Sequence, residues 1–244
     1  MFITKRFLPG FCLRFALVLT AVFLVCSSVD ARRKERRSVV RLETTMGTIR
    51  IALMDETPVH RDNFLKLVSQ GFYDATLFHR IIKDFMIQGG DPSSRTAPSG
   101  VLLGDGDIGY TLPPEFCLPD LYHKRGMVAA AREGDDVNPE RRSSGCQFYI
   151  VWGRKMGPAS LNKVRSSWEE KGYEYNHFMT DDYQMIGGTP HLDGEYTVFG
   201  EVIDGLDVVD RIQQEKTDSN DRPIQDVRIV KASVEQYGKT GRSR

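Results

Sequence analysis

The chain has 244 residues, of which 40% are hydrophobic and 27% charged, enough for one sizeable core of ordinary globular character. Its 33 basic and 33 acidic residues cancel, which excludes a nucleic-acid binder working through bulk charge and a like-charged disordered tail. Four cysteines are too few for a disulfide-dense miniprotein.

The N-terminus reads as an address. Lys5, Arg6 and Arg14 flank or precede an apolar run from Phe15 to Val25, shorter than the ~20 residues that span a bilayer. Val29 and Ala31 satisfy the small-residue cleavage rule, so a signal peptide over 1–31 is expected. An uncleaved anchor and a lipoprotein at Cys26 are alternatives, the latter disfavoured by Val25 before it. Loss of three basic residues and Asp30 would leave 30 basic and 32 acidic residues in an exported, periplasmic chain without stable membrane insertion. Cys117 and Cys146 would remain, and their spacing leaves open a disulfide or two separate thiols. Residues 32–38 read as a solvated basic linker, and 237–244 as a flexible tail.

Val39–Thr44 and Ile49–Leu53 flank Met46-Gly47 and predict a hairpin. Thr57 is placed to cap a helix with Pro58 in its first turn; Phe64, Leu65 and Val68 form one face, and Gly71 is a stop. Thr76 to Gln88 reads as a β-prone stretch, and 92–114 as loop. Within that loop Gly104-Asp-Gly106-Asp-Ile-Gly109 matches a dinucleotide pattern but lacks the following helix that phosphate binding needs. Strands are expected near 126–131, 147–152, 197–203 and 228–234, with a helix carrying Leu206, Val209 and Ile212. The segment 154–188 is polar, Tyr-rich and too long for a simple connection. Leu161, Val164 and Trp168 give it one helical face. Many short strands with few helices and no βαβ rhythm predict a mainly β domain over 39–236, a closed antiparallel barrel with helical lids. The five histidines show no metal spacing and no nucleophile elbow is present, so neither metal nor cofactor is expected.

Phe78-His-Arg-Ile-Ile-Lys-Asp-Phe-Met-Ile-Gln-Gly-Gly-Asp91 is the most specific stretch. Gly126–Arg132, Cys146–Ile150 and Leu192–Gly200 follow it in order. Together these blocks resemble the cyclophilins, the peptidyl-prolyl cis-trans isomerases, from about Val39 to Val234. The resemblance implies an eight-stranded antiparallel barrel capped by two helices. It also implies a monomer that accelerates rotation about X–Pro bonds in unfolded or flexible polypeptides and so assists folding. The rival reading is a non-catalytic chaperone or proline-peptide binding module on the same fold.

Amide rotation crosses a barrier near ~20 kcal/mol and breaks no covalent bond. A site helps by binding the twisted amide better than the planar one. As the bond twists, the proline nitrogen regains its lone pair, which a fixed guanidinium can stabilise. By resemblance Arg80 is that group, and Gln88 holds it, being expected on the same face of one strand. Phe85, Met86, Tyr149 and Leu192 match the proline pocket, and Gln147 its polar rim. Ala131 and Arg132 match the segment whose backbone pairs with substrate, the Arg132 charge being expected to bias the residues accepted. His79 is expected to be a structural hydrogen-bonding residue. Three positions depart from the family pattern. His191 stands where many members carry tryptophan, which should weaken cyclosporin binding; Tyr196 replaces a histidine and Tyr149 a phenylalanine. The insertion lies between two pocket blocks, so Trp168, Tyr173, Tyr175 and Tyr183 are expected to extend the substrate surface.

Overall fold

The computed structural model describes residues 37–174 and 176–235. The segments expected to be a signal peptide and a tail, most of the expected linker, and Tyr175 lie outside the described residues. Among the described residues no helix is long and apolar enough to cross a membrane.

The expected hairpin opens the fold. β1 (Val39–Thr44) and β2 (Gly47–Leu53) pair antiparallel from Val39↔Ala52 to Thr44↔Gly47. The Thr44 hydroxyl donates to the Gly47 carbonyl across the turn at 2.7 Å. α1 (Pro58–Ser69) follows, with Pro58 in its first turn and Thr57 at the cap position. The Thr57 hydroxyl makes no cap bond. Instead the Glu115 carboxylate accepts from the main-chain N–H of Val59 at 3.1 Å and of His60 at 3.0 Å. An anion from a distant loop thus satisfies the orphan donors of the helix start.

The stretch 76–88 is not one strand. It folds into a hairpin of β3 (Arg80–Ile82) and β4 (Met86–Gly89). The turn is made by Lys83-Asp84, with Asp84 at φ +61° and the Phe85 N–H donating to the Ile82 carbonyl at 3.0 Å. Asp tolerates that left-handed conformation better than most side chains. β5 (Thr111–Leu112) and β7 (Ser143–Ser144) form a small separate ribbon. β6 (Met127–Ala130), β8 (Phe148–Val151), β9 (Val198–Asp204), α4 (Leu206–Gln213) and β10 (Ile229–Glu235) complete the expected elements. The insertion contributes two further helices, α2 (Pro158–Glu170) and α3 (His177–Met185).

Eight strands form one antiparallel sheet in the order β10-β1-β2-β9-β6-β8-β4-β3. The expectation of a closed barrel is corrected to a curled half-barrel: no ladder joins β3 to β10. β3 has only three residues, and its Ile81 N–H is taken by the Asp221 carbonyl of a loop at 2.8 Å. An isolated bridge, Leu77↔Arg228, and main-chain bonds from Phe78 N–H to Val227 (2.9 Å), Ile229 N–H to Thr76 (2.8 Å) and Ala75 N–H to Ile229 (2.8 Å) cross the remaining seam. α1 packs on β9 and β10, and α4 on β2, β3 and β4.

Strand alternation divides the sheet into two buried faces. Ile87, Val128, Phe148, Ile150 and Phe199 point to the main core beneath α1. Their sequence neighbours Met86, Met127, Tyr149, Val151 and Val198 point the other way and form a second apolar cluster. Leu161, Trp168, Met179, Tyr183 and Tyr122 form a third, belonging mainly to the insertion.

Candidate active site

Register places three of the candidate residues, Arg80, Gln88 and Tyr149, in one line across the sheet. Arg80 pairs with Gln88, Gln88 with Tyr149, Tyr149 with Ala129, and Ala129 with Val198. Directly opposed residues of neighbouring strands share a face. Arg80 and Gln88 therefore do share a face, but by cross-strand pairing rather than by position on a single strand.

The polar end of the row is held by amides. Arg80 Nη1 lies 3.4 Å from Gln88 Oε1. Gln88 Nε2 donates to Gln147 Oε1 at 3.0 Å, which turns the Gln88 oxygen toward the guanidinium. Gln147 Nε2 in turn donates to the carbonyls of Gly104 and Gly106 at 2.7 and 2.8 Å. The glycine-rich loop thus serves as a carbonyl anchor. Its Gly106 is forced by crowding: a Cβ there would come 2.0 Å from Asp91 Oδ1. Arg80 also has a partner that sequence reasoning missed, Asp221, whose Oδ2 lies 3.5 Å from Arg80 Nε. Asp221 is 141 positions away in the chain, so no local signal could have found it. Both side chains are 43% exposed, so the guanidinium remains open to solvent.

The apolar end is the second cluster. Met86, Ala131 and Tyr149 are buried within it, with Phe85, Leu192 and Tyr196 packed partly buried against it. His191 stacks on Phe85 with ring centroids 5.6 Å apart. Burial, with the nearby His123 adding to it, holds the His191 imidazole below its ordinary pKa. Burial pushes the Tyr149 phenol well above its ordinary value. Its hydroxyl finds a partner, His123 Nε2, at 2.9 Å.

Several expectations are corrected. The main-chain groups of Ala131 are both used internally: its N–H bonds the Gln147 carbonyl (3.0 Å) and its carbonyl accepts from Ser144 (2.8 Å). Among the described residues the N–H and carbonyl of Arg132 make no main-chain hydrogen bond. The Arg132 side chain is 4% exposed and does not present a free charge. It lies 4.5 Å over the Tyr196 ring, donates to the Glu195 carbonyl and pairs with Asp135 at 2.6 Å. His79 is buried without a sound hydrogen bond at either ring nitrogen. Burial lowers its pKa to about 4, against the opposing pull of Asp91. Cys117 and Cys146 are two free thiols. Burial pushes the Cys146 thiol up to about 11. Among the described residues no group of His, Cys, Asp or Glu could hold a metal ion.

Of the insertion aromatics expected to extend a substrate surface, Trp168 and Tyr183 do not. Trp168 is 3% exposed and Tyr183 fully buried, both turned into the third cluster. Tyr173 packs against Trp168 at 6.2 Å. An amphipathic helix pair must bury its apolar stripe, and these residues are that stripe. The insertion closes at a narrow neck, where the Gly188 N–H donates to the Arg154 carbonyl at 3.2 Å. A Cβ on Gly153 would lie 2.2 Å from the Gly188 oxygen, so the two backbones come this close only because residue 153 has no side chain.

Residues 39–234 match the family described as "Cyclophilin type peptidyl-prolyl cis-trans isomerase/CLD". A peptidyl-prolyl cis-trans isomerase of Arabidopsis thaliana is 31% identical over 196 residues, covering 80% of this chain and 94% of that one. A putative bifunctional phosphatase/peptidyl-prolyl cis-trans isomerase of Streptococcus pyogenes is 36% identical over 199 residues; the match covers 80% of this chain but only 38% of that protein. The crystal structure of a Cryptosporidium parvum cyclophilin type isomerase, obtained in the presence of the dipeptide ala-pro, superposes with a TM-score of 0.56 at 26% identity. It covers 81% of this chain and 98% of that one.

Proposed function

This chain belongs to the cyclophilin-type peptidyl-prolyl cis-trans isomerases, and from that premise we propose that Arg80 is the group that lowers the rotation barrier. An extended polypeptide lies along the Arg132 backbone. Its proline ring sits on Met86, Phe85, Tyr149 and Leu192, which anchors one side of the X–Pro bond while the other turns. In the twisted state the imide nitrogen becomes pyramidal, and the Arg80 guanidinium donates to the recovered lone pair. The planar forms offer no such acceptor, so the contact is made in the transition state only. A ~10⁵-fold acceleration needs ~7 kcal/mol of this differential stabilisation. Gln88 and Asp221 restrict the guanidinium, so little reorganisation is left for the moment of rotation.

The observation that carries the reading is the row itself: one solvent-open guanidinium, braced by Gln88, leading into an apolar cluster that contains the predicted pocket residues. Arg80→Ala tests it in a prolyl-peptide isomerisation assay. The expected result is a fall in kcat/KM of about 10²–10³, roughly 3–4 kcal/mol, with the melting temperature little changed. Wild-type turnover in a folded Arg80→Ala protein would defeat the assignment.

The clients proposed are exported polypeptides, on the strength of the basic and apolar N-terminal segment. Intact-mass analysis of protein recovered from the native host tests this. A mature N-terminus at Arg32 supports export after cleavage, whereas an unprocessed Met1 in the soluble cytoplasmic fraction opposes it.

A further inference from the structure

The Asp193 carboxylate sits where the insertion meets the pocket wall, and it is completely buried. Oδ1 accepts from the His123 main-chain N–H at 2.7 Å and lies 2.8 Å from His123 Nδ1. Oδ2 accepts from the Tyr183 hydroxyl at 2.5 Å. A buried carboxylate persists only with donors of this kind. With Nδ1–H donating to Asp193, the other ring nitrogen, Nε2, is left to hydrogen-bond the Tyr149 hydroxyl at 2.9 Å. The Tyr149 ring then lies near-parallel to His123, with the Tyr196 ring at 81° to it.

This chain of hydrogen bonds joins two distant parts of the molecule. Tyr183 belongs to α3 of the insertion. Tyr149 belongs to β8 and stands beside Gln88 in the row that begins at Arg80. The insertion is therefore bonded into the wall of the proline site, although Trp168 and Tyr183 are themselves buried in its own core.

We propose that Tyr183 is a positioning residue for proline binding, acting through Asp193 and His123 to fix the Tyr149 ring. The proposal rests on the pocket assigned above. A wall that seats the ring contributes to ground and transition states alike, so its loosening raises KM and leaves kcat nearly unchanged. The insertion thereby tunes substrate affinity from behind the pocket wall.

The test is a two-residue cycle in the peptide isomerisation assay. Tyr183→Phe keeps the ring in its core and removes only the hydroxyl. The expected result is a KM raised roughly threefold to tenfold, the scale of one buried hydrogen bond, with kcat within about twofold. Tyr149→Phe should raise KM comparably, and Tyr183→Phe added to it should change KM no further, because the link is already cut. An unchanged KM in folded Tyr183→Phe overturns the proposal. So do two effects that simply multiply, which would mark Tyr183 as structural. Failure of the catalytic reading is separate: it shows as retained kcat in Arg80→Ala, while the relay is still read from KM.

Discussion

In the sheet row and in the insertion, aromatic and apolar side chains recur at spacings that suggest a binding face, yet burial gives them different work. Phe85, Leu192 and Tyr196 are only partly covered, because β4, β8 and the turn before β9 leave one side of the second cluster open. In the insertion, α2 and α3 have no sheet face of their own to cover. They fold their stripes onto each other and onto Tyr122, and Trp168 and Tyr183 disappear. The lesson is that residue type marks both regions equally, and only the number of neighbours decides which becomes a surface.

Four measurements would break or sharpen that contrast. The largest effect on activity is expected for Arg80→Ala, as above, acting on rate and not on folding. The largest effect on stability is expected for Trp168→Ala, which should destabilise the insertion by about 3–5 kcal/mol, as a buried aromatic truncation does. Hydrogen exchange should accelerate across 158–185 while β2, β6 and β9 stay protected; uniform protection throughout would show that Trp168 is not a core residue. A somewhat smaller effect should appear with pH. The folded His79 pKa of about 4 lies below the unfolded value of 6.5. Between these values the unfolded chain binds more protons, so stability is complete above about pH 6.5 and falls as pH drops toward 4, by up to ~3 kcal/mol. Chemical denaturation of His79→Asn across that range should show a flatter profile; an unchanged slope would assign the loss to other groups, such as His60, whose pKa burial also lowers. The smallest effect is expected for Asp221→Ala. The pair with Arg80 is 43% exposed on both sides, so its loss should cost about 1 kcal/mol or less, a fall in kcat of up to about fivefold. A loss as large as that of Arg80→Ala would make Asp221 a full partner in the reaction.

Much of the fold was legible because it is local. The Met46-Gly47 turn, Pro58 in the first turn of α1, and the alternating runs of β6, β8 and β9 are set by backbone preference and side-chain period. The 76–88 hairpin was missed because its turn has no glycine and relies on Asp84 taking a positive φ. Thr57 stands at the cap position as expected, but the N–H groups of Val59 and His60 go to Glu115, a residue far along the chain.

Sequence alone determined the family, the reaction and the identity of the candidate residues, since residue types and block order are properties of the chain itself. Tertiary structure alone decided that the sheet stays open between β3 and β10, that Arg132 turns its charge onto Tyr196 and Asp135, and that Asp193 ties the insertion to Tyr149. Each of these depends on contacts between residues remote in the chain or on who covers a side chain. No local pattern encodes either, because burial and partner choice are settled only when the pieces pack.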